Sequence, residues 1–308
     1  MIGMNTEDRH AMGESLRGLA LGDGFGASWF RQGDRQAAEM IQERRTPTVE
    51  AFHYTDDTAM ALGIVRTLVT AKRISQRYLA ELFGATYVAD PYRQYGYGMT
   101  QLLPRLYEDP DNFATYAGAL FGGSGSLGNG SAMRVAPLGA YFHADLPRVA
   151  EQAALSAEVT HTHPEAVDGA IAVAVAAALA TAGREQAPPP AAEFLGRVAQ
   201  QVPKGVIRDG VETAANLDAA TPSWQAAEVL GNGRRIRCSD TVPFALWTAA
   251  VHLDDYEAAM WATAAGLGDV DTTCAITGGI VAARTGIGAV PGTWSALREP
   301  LPDWTEAL

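Results

Sequence analysis

The chain has 308 residues, 47% hydrophobic and 19% charged, with a formal net charge of -12 and a pI near 4.9. This is apolar material for one large domain or two ordinary ones, and the acidic balance argues against a general nucleic-acid or anionic-membrane surface. Its two cysteines, Cys238 and Cys274, form no CxxC pattern, which argues against a disulfide framework or zinc knuckle and fits a reducing cytoplasm.

Residues 1–15 are polar and carry no signal-peptide core. Leu21-Gly22-Asp23-Gly24-Phe25-Gly26 reads as a helix end turning into a loop, with Asp23 holding the turn. Thr55-Asp56-Asp57-Thr58 precedes a helical pattern over 58–71, with Met60, Ile64, Val65 and Leu68 on one side. Arg93-Gln94-Tyr95-Gly96-Tyr97-Gly98 is a Gly-aromatic loop, either functional or a tight surface turn. The run Gly122-Gly123-Ser124-Gly125-Ser126-Leu127-Gly128-Asn129-Gly130-Ser131 lets backbone N–H groups face one anion, with a helix start expected at Ser131; a flexible loop is the alternative. It is not a Walker motif, since no Gly-Lys-Ser/Thr follows.

Helical patterns continue over 147–159 and 165–182. The apolar stretch 169–182 is too short to span a bilayer and reads as a buried helix. Thr160-His161-Thr162-His163-Pro164 opens it. A His-x-His pair with no third soft ligand is weak for zinc, so hydrogen bonding within the site or to substrate is the preferred role. After the loop at Pro188-Pro189-Pro190, helices are expected over 191–201, 240–252, 256–265 and 272–283. The last follows a second acidic cluster, Asp269-Val270-Asp271-Thr272-Thr273. Strand signals are scarce, and the motifs serve one site better than two, so a single all-α domain over 1–308 is expected, a compact orthogonal multi-helix bundle.

Each acidic cluster has two readings. Thr or Asp at a helix N-terminus caps a free N–H and suits the positive dipole end. But capping needs one oxygen, and here two Asp plus Thr occur twice. Carboxylates and hydroxyls gathered across a cleft repel unless cations lie between them, and oxygen-only ligands suit Mg²⁺ or Mn²⁺. The chain therefore reads as a two-metal hydrolase.

These segments, in this order, resemble the ADP-ribosylglycohydrolase family, whose members include the dinitrogenase-reductase-activating glycohydrolases. The likeness runs from Gly18-Leu19-Ala20-Leu21-Gly22-Asp23 to Ile287-Gly288-Ala289-Val290-Pro291-Gly292-Thr293-Trp294. It implies an all-α fold around a dinuclear Mg²⁺ or Mn²⁺ cleft, with Thr55, Asp56, Asp57, Asp269, Asp271 and Thr272 as ligands. It implies hydrolysis at the ribose anomeric carbon through an oxocarbenium-like transition state, with the metals holding ribose hydroxyls and a water. Asp56 or Asp57 would steer that water or take its proton. The implied substrate-binding set is Gly125, Ser126, Gly128, Asn129, Gly130, Ser131 and Met133 of the glycine loop, joined by Tyr95 and His161. The partner is ADP-ribose, on arginine of a protein; serine, a nucleobase or a small molecule are alternative acceptors, and a non-catalytic ADP-ribose-binding or structural member is a further reading.

The sequence departs from the family pattern twice. Gly26-Ala27-Ser28-Trp29-Phe30 has no acid where some members place a Glu, and Arg93-Gln94-Tyr95 stands where some arginine-directed members place an Asp. Trp29 and Phe30 are expected either to wall the acceptor side or to pack in the core.

Overall fold

The structure, a computed structural model, describes residues 6–288 and 290–308. The first five residues of the polar N-terminal stretch, and Ala289 of the segment 287–294, lie outside the described residues.

Small residues decide how the two central helices meet. Gly18, Gly22 and Gly26 recur at every fourth position of the helix Thr6–Ala27 and so form one ridge. That ridge lies directly on the helix Val270–Thr285. A methyl group added at Gly22 would sit 2.2 Å from Cys274 O, and one at Gly26 would sit 2.4 Å from Val270 O. From a third helix, Tyr256–Ala264, the Tyr256 hydroxyl donates to Gly18 O at 2.6 Å beside the crossing. The expected helix end at 21–26 is therefore wrong. The helix runs on to Ala27, because these glycines are a packing surface and not a breaker. The consequence is functional: Asp23 on one helix and Asp271 on the other come together where the ridge ends.

Sixteen α-helices and no β-strand occur among the described residues. The expected segments appear with ends moved by at most two residues, and Ala191–Gln201 not at all: Asp56–Ala71, Leu146–Glu158, Pro164–Ala182, Ala191–Gln201, Cys238–Val251, Tyr256–Ala264 and Val270–Thr285. Among the described residues one helix, Pro164–Ala182, is long and apolar enough to cross a membrane, and 83% of its 18-residue apolar window is buried inside the protein. It is apolar all round because it packs on several neighbours at once. Ser131 does not start an α-helix; it ends a 3-10 turn, Asn129–Ser131, and the next α-helix is Ala136–Tyr141. Helices the sequence reading did not mark include Gln76–Ala89, Tyr97–Glu108 and Phe113–Gly123.

The segment before the first acidic cluster is tied to the far end of the chain. Phe52 and Arg298 form an isolated parallel bridge, with Phe52 N–H donating to Leu297 O at 2.7 Å. Arg93 grips both carboxylate oxygens of Glu299, at 2.9 and 2.8 Å, and donates to Tyr54 O at 2.8 Å while its guanidinium lies 4.0 Å from the Tyr54 ring centre. A bidentate pair of this kind holds direction as well as charge, so the chain enters Thr55 at a fixed angle.

Candidate active site

The two acidic helix starts, Asp56–Ala71 and Val270–Thr285, meet at the floor of a cleft of about 730 Å³. Asp23, Asp57 and Asp271, all buried, bring carboxylate oxygens within 4.8 Å of one another. Asp56, Asp269, Asp271 and Thr272 line the cleft itself, while Thr55 and Asp57 are buried and absent from its lining.

Asp23 was expected to hold its own turn; instead it organises the Asp56 helix from across the interface. Its carboxylate accepts from Thr55 N–H at 3.0 Å and hydroxyl at 2.9 Å, and from Thr58 N–H at 3.0 Å and hydroxyl at 2.6 Å. This caps a helix whose own Thr55 gives no side-chain cap. Burial raises the Asp23 pKa to about 6, with those donors pulling it back down. Burial, and then the neighbouring carboxylates, push Asp57 and Asp271 well above the usual carboxylate range. Asp56 is raised in the same way by burial and by Asp23 and Asp269, and burial also raises Asp269.

The donor set fits hard cations. Asp57 Oδ1 is buried with no hydrogen-bond partner. Thr55 Oγ1 lies 2.9 Å from Asp23 Oδ1 and 2.8 Å from Asp57 Oδ2, yet a hydroxyl has one hydrogen to give. A buried carboxylate with an orphaned oxygen, facing other carboxylates, is a group short of positive charge. Among the described residues this is the cluster able to hold a metal, and neither His161 nor His163 belongs to it. His163 instead caps its own helix, its Nδ1 accepting from Glu165 N–H at 3.2 Å.

Gly125, Ser126, Gly128, Asn129, Gly130, Met133 and His161 also line the cleft. Gly125 has φ +70, and a methyl group there would meet Thr162 Oγ1 at 2.1 Å, so both conformation and space require glycine. Not every N–H of the loop is free. Gly125 N–H donates to Leu120 O at 3.1 Å and Gly128 N–H to Ser126 Oγ at 3.2 Å. Asn129 spends its amide on Asp269 Oδ2 at 2.7 Å and Thr241 Oγ1 at 3.1 Å, so its side chain orients an acidic residue.

Two expected substrate contacts are not brought to the cleft surface. Ser131 is fully buried and donates to Ala166 O at 2.8 Å, fastening the loop to the Pro164–Ala182 helix. Tyr95 is buried against Tyr87, and its hydroxyl has no partner. Nor does Trp29 wall the acceptor side: it is buried in an aromatic cluster with Phe25 and Trp261, ring centres 5.8 and 6.2 Å away, while Phe30 faces solvent. The sequence reading also missed Phe121, Tyr97, Arg235 and Ile236 at the cleft. Only Tyr97, inside its Gly-aromatic motif, gave a usable signal.

The ADP-ribosylglycohydrolase family model matches residues 4–308. The chain belongs to the ADP-ribosylglycohydrolase family. It is 28% identical to human ADP-ribosylhydrolase ARH3 over 91% of this chain and 86% of that protein. It is 29% identical to an uncharacterized protein of Archaeoglobus fulgidus over 91% and 88% of the two chains. A solved structure titled ADP-ribosylglycohydrolase-related protein complex superposes with a TM-score of 0.63 at 23% identity, covering 95% of this chain and 93% of that one, a likeness of fold. The chain is thus an ADP-ribosylglycohydrolase, an enzyme that hydrolyses a glycosyl bond.

Proposed function

We propose that this ADP-ribosylglycohydrolase is metal-dependent and releases ADP-ribose from ADP-ribosylated arginine on protein. The observation that carries the metal half is the buried carboxylate cluster with the orphaned Asp57 oxygen. Thr55, Asp56, Asp57, Asp269, Asp271 and Thr272 would hold two Mg²⁺ or Mn²⁺ ions. When bound, such ions supply Lewis-acid polarisation and lower the pKa of a water. Asp56, at the cleft face, takes a proton from the attacking water, and Asp57 behind it holds the charge balance. The glycine loop seats the pyrophosphate, and the exposed rings of Tyr97 and Phe121 at the cleft offer faces for the adenine.

The arginine half rests on what the acceptor side lacks. An N-ribosylated guanidinium is already cationic and leaves as neutral guanidine without help from a general acid, whereas a serine alkoxide must be protonated as it leaves. At the cleft the 93–95 loop presents Gln94, an amide with no acidic proton, and Arg93 of the same loop is engaged with Glu299. The test is release of free ADP-ribose from defined arginine- and serine-linked peptides, with Mg²⁺, with Mn²⁺ and with chelator. Undiminished turnover after exhaustive chelation would refute the metal requirement.

A further inference from the structure

Arg134 is fully buried and makes no ion pair with any carboxylate among the described residues. Its Nη2 donates to Ser156 O at 3.0 Å and to Thr160 Oγ1 at 2.9 Å, and its guanidinium lies 4.5 Å from the Phe83 ring centre. A guanidinium has five N–H donors and no acceptor. Thr160 Oγ1 is therefore an acceptor toward Arg134, and its single hydrogen must go elsewhere.

Thr160 is itself fully buried, and the other partner of its hydroxyl is His161 Nδ1 at 2.7 Å. If Nδ1 carried the imidazole hydrogen, the hydroxyl hydrogen would be sealed in the interior with no acceptor, an arrangement folded proteins avoid. The Thr160 hydroxyl therefore donates to Nδ1, and Nε2 carries the imidazole hydrogen. Among the described residues Nε2 makes no hydrogen bond. His161 lines the cleft, and methyl groups built at Gly130 and Gly128 would come within 3.0 and 3.6 Å of Nε2. Burial, and then the Arg134 charge, pull the His161 pKa down to about 3, so the ring stays neutral.

We propose that Arg134, acting through Thr160, is a positioning residue that fixes His161 as the Nε2–H tautomer, so that the ring presents a neutral N–H donor to a phosphate oxygen of ADP-ribose in the glycine loop. The ligand half of this inference rests on the ADP-ribose reading of the cleft. A ring free to exchange tautomers would turn a lone pair toward that oxygen part of the time and repel it. The glycines at 128 and 130 keep the space over Nε2 open for the anion.

The experiment uses the full-length protein labelled with 15N-histidine, with Mg²⁺ present. The His161 signals are assigned by their loss in His161→Gln. Wild type is expected to show a pyridine-like Nδ1 and a pyrrole-like Nε2 before any ADP-ribose is added. Thr160→Val should lose that pattern and bind ADP-ribose on the order of tenfold more weakly by calorimetry, the scale of one hydrogen bond to a charged group. Thr160→Ser should restore both. Arg134→Met, if folded by circular dichroism, should lose the pattern too; if it does not fold, the two Thr160 variants decide. A protonated Nδ1 in wild type, or a Thr160→Val protein that keeps both pattern and affinity, would overturn the relay. A folded Arg134→Met protein with the wild-type pattern would remove Arg134 from it. The correct pattern in a protein that binds no ADP-ribose would instead refute the cleft reading, and with it the ligand half alone.

Discussion

Asp57→Asn separates the metal from the fold, because it should shift stability in opposite directions with and without metal. The substitution keeps the shape and deletes one buried charge. The like-charged oxygens of Asp23 and Asp271 lie within 4.8 Å. At an effective permittivity of ~20, one such pair repels by roughly 3 kcal/mol, an upper bound since proton uptake relieves it. Without metal the variant should therefore be more stable than the parent, by about 1–3 kcal/mol, which raises the melting temperature by several degrees for a chain of this size. With divalent metal at about 100 times its dissociation constant, the parent gains roughly 2.7 kcal/mol per site that the variant forgoes. The order of the two melting curves should thus invert between chelator and Mn²⁺, with activity lost in the variant. The pH dependence follows from the raised carboxyl pKa values. Groups raised in the folded state stabilise it below their unfolded values and lose that contribution as pH climbs through the folded ones. The metal-free parent should therefore weaken from about pH 4 upward, through about 6 for Asp23, and Asp57→Asn should flatten the decline. Equal metal-induced shifts in both proteins, or a metal-free variant less stable than its parent, would refute the reasoning.

Gly130→Val places side-chain atoms where even a Cβ meets His161 Cε1 at 2.9 Å, so ADP-ribose binding should weaken by about 2 kcal/mol or more with metal affinity little changed; equal affinity by calorimetry would make the loop a connector only. Gly22→Ala forces a methyl against Cys274 O at 2.2 Å and should cost about 3 kcal/mol or more in urea unfolding, and it should lower metal affinity as well by parting Asp23 from Asp271. Trp29→Ala should cost about 3–5 kcal/mol of stability and leave the ratio of turnover on arginine- and serine-linked substrates unchanged, because the ring lies in the core; a changed ratio would return it to the acceptor side.

How much of this was legible in the sequence depends on whether a residue's role is local. The acidic starts at Asp56-Asp57 and Asp269-Asp271 were readable, since clustered carboxylates have few uses. The helices behind them were readable from apolar spacing. Gly18, Gly22 and Gly26 were not, because glycine punctuates a chain and also allows two helices to touch, and only the partner helix tells which. Asp23 was missed as a member of the acidic cluster for the same reason: its four donors come from Thr55 and Thr58, more than thirty residues on. Ser131 was assigned to the substrate because it stands in a glycine-rich motif, but its hydroxyl had a closer partner in Ala166 O.

Leaving-group chemistry gives a test of the acceptor. On the side of the cleft where an acid is absent, the chain offers Gln94, an amide with no proton to give at neutral pH. His161 is neutral and turned to the glycine loop, and Arg235 is a cation. The carboxyl groups that remain in the lining, Asp56, Asp269 and Asp271, belong to the acidic cluster, and cations bound there would hold them in their charged form. A substrate whose leaving group carries its proton beforehand is then favoured over one that must be protonated in the transition state. Arginine-linked ADP-ribose is of the first kind and serine-linked ADP-ribose of the second. Across a series of O-linked ADP-ribosyl compounds, the rate of release should therefore fall steeply as the leaving alcohol becomes more basic, while the arginine-linked substrate lies above that line. A flat dependence, or faster release from serine than from arginine, would show that a carboxylate of the cluster serves as a general acid after all. The arginine assignment would then fail while the metal centre stood.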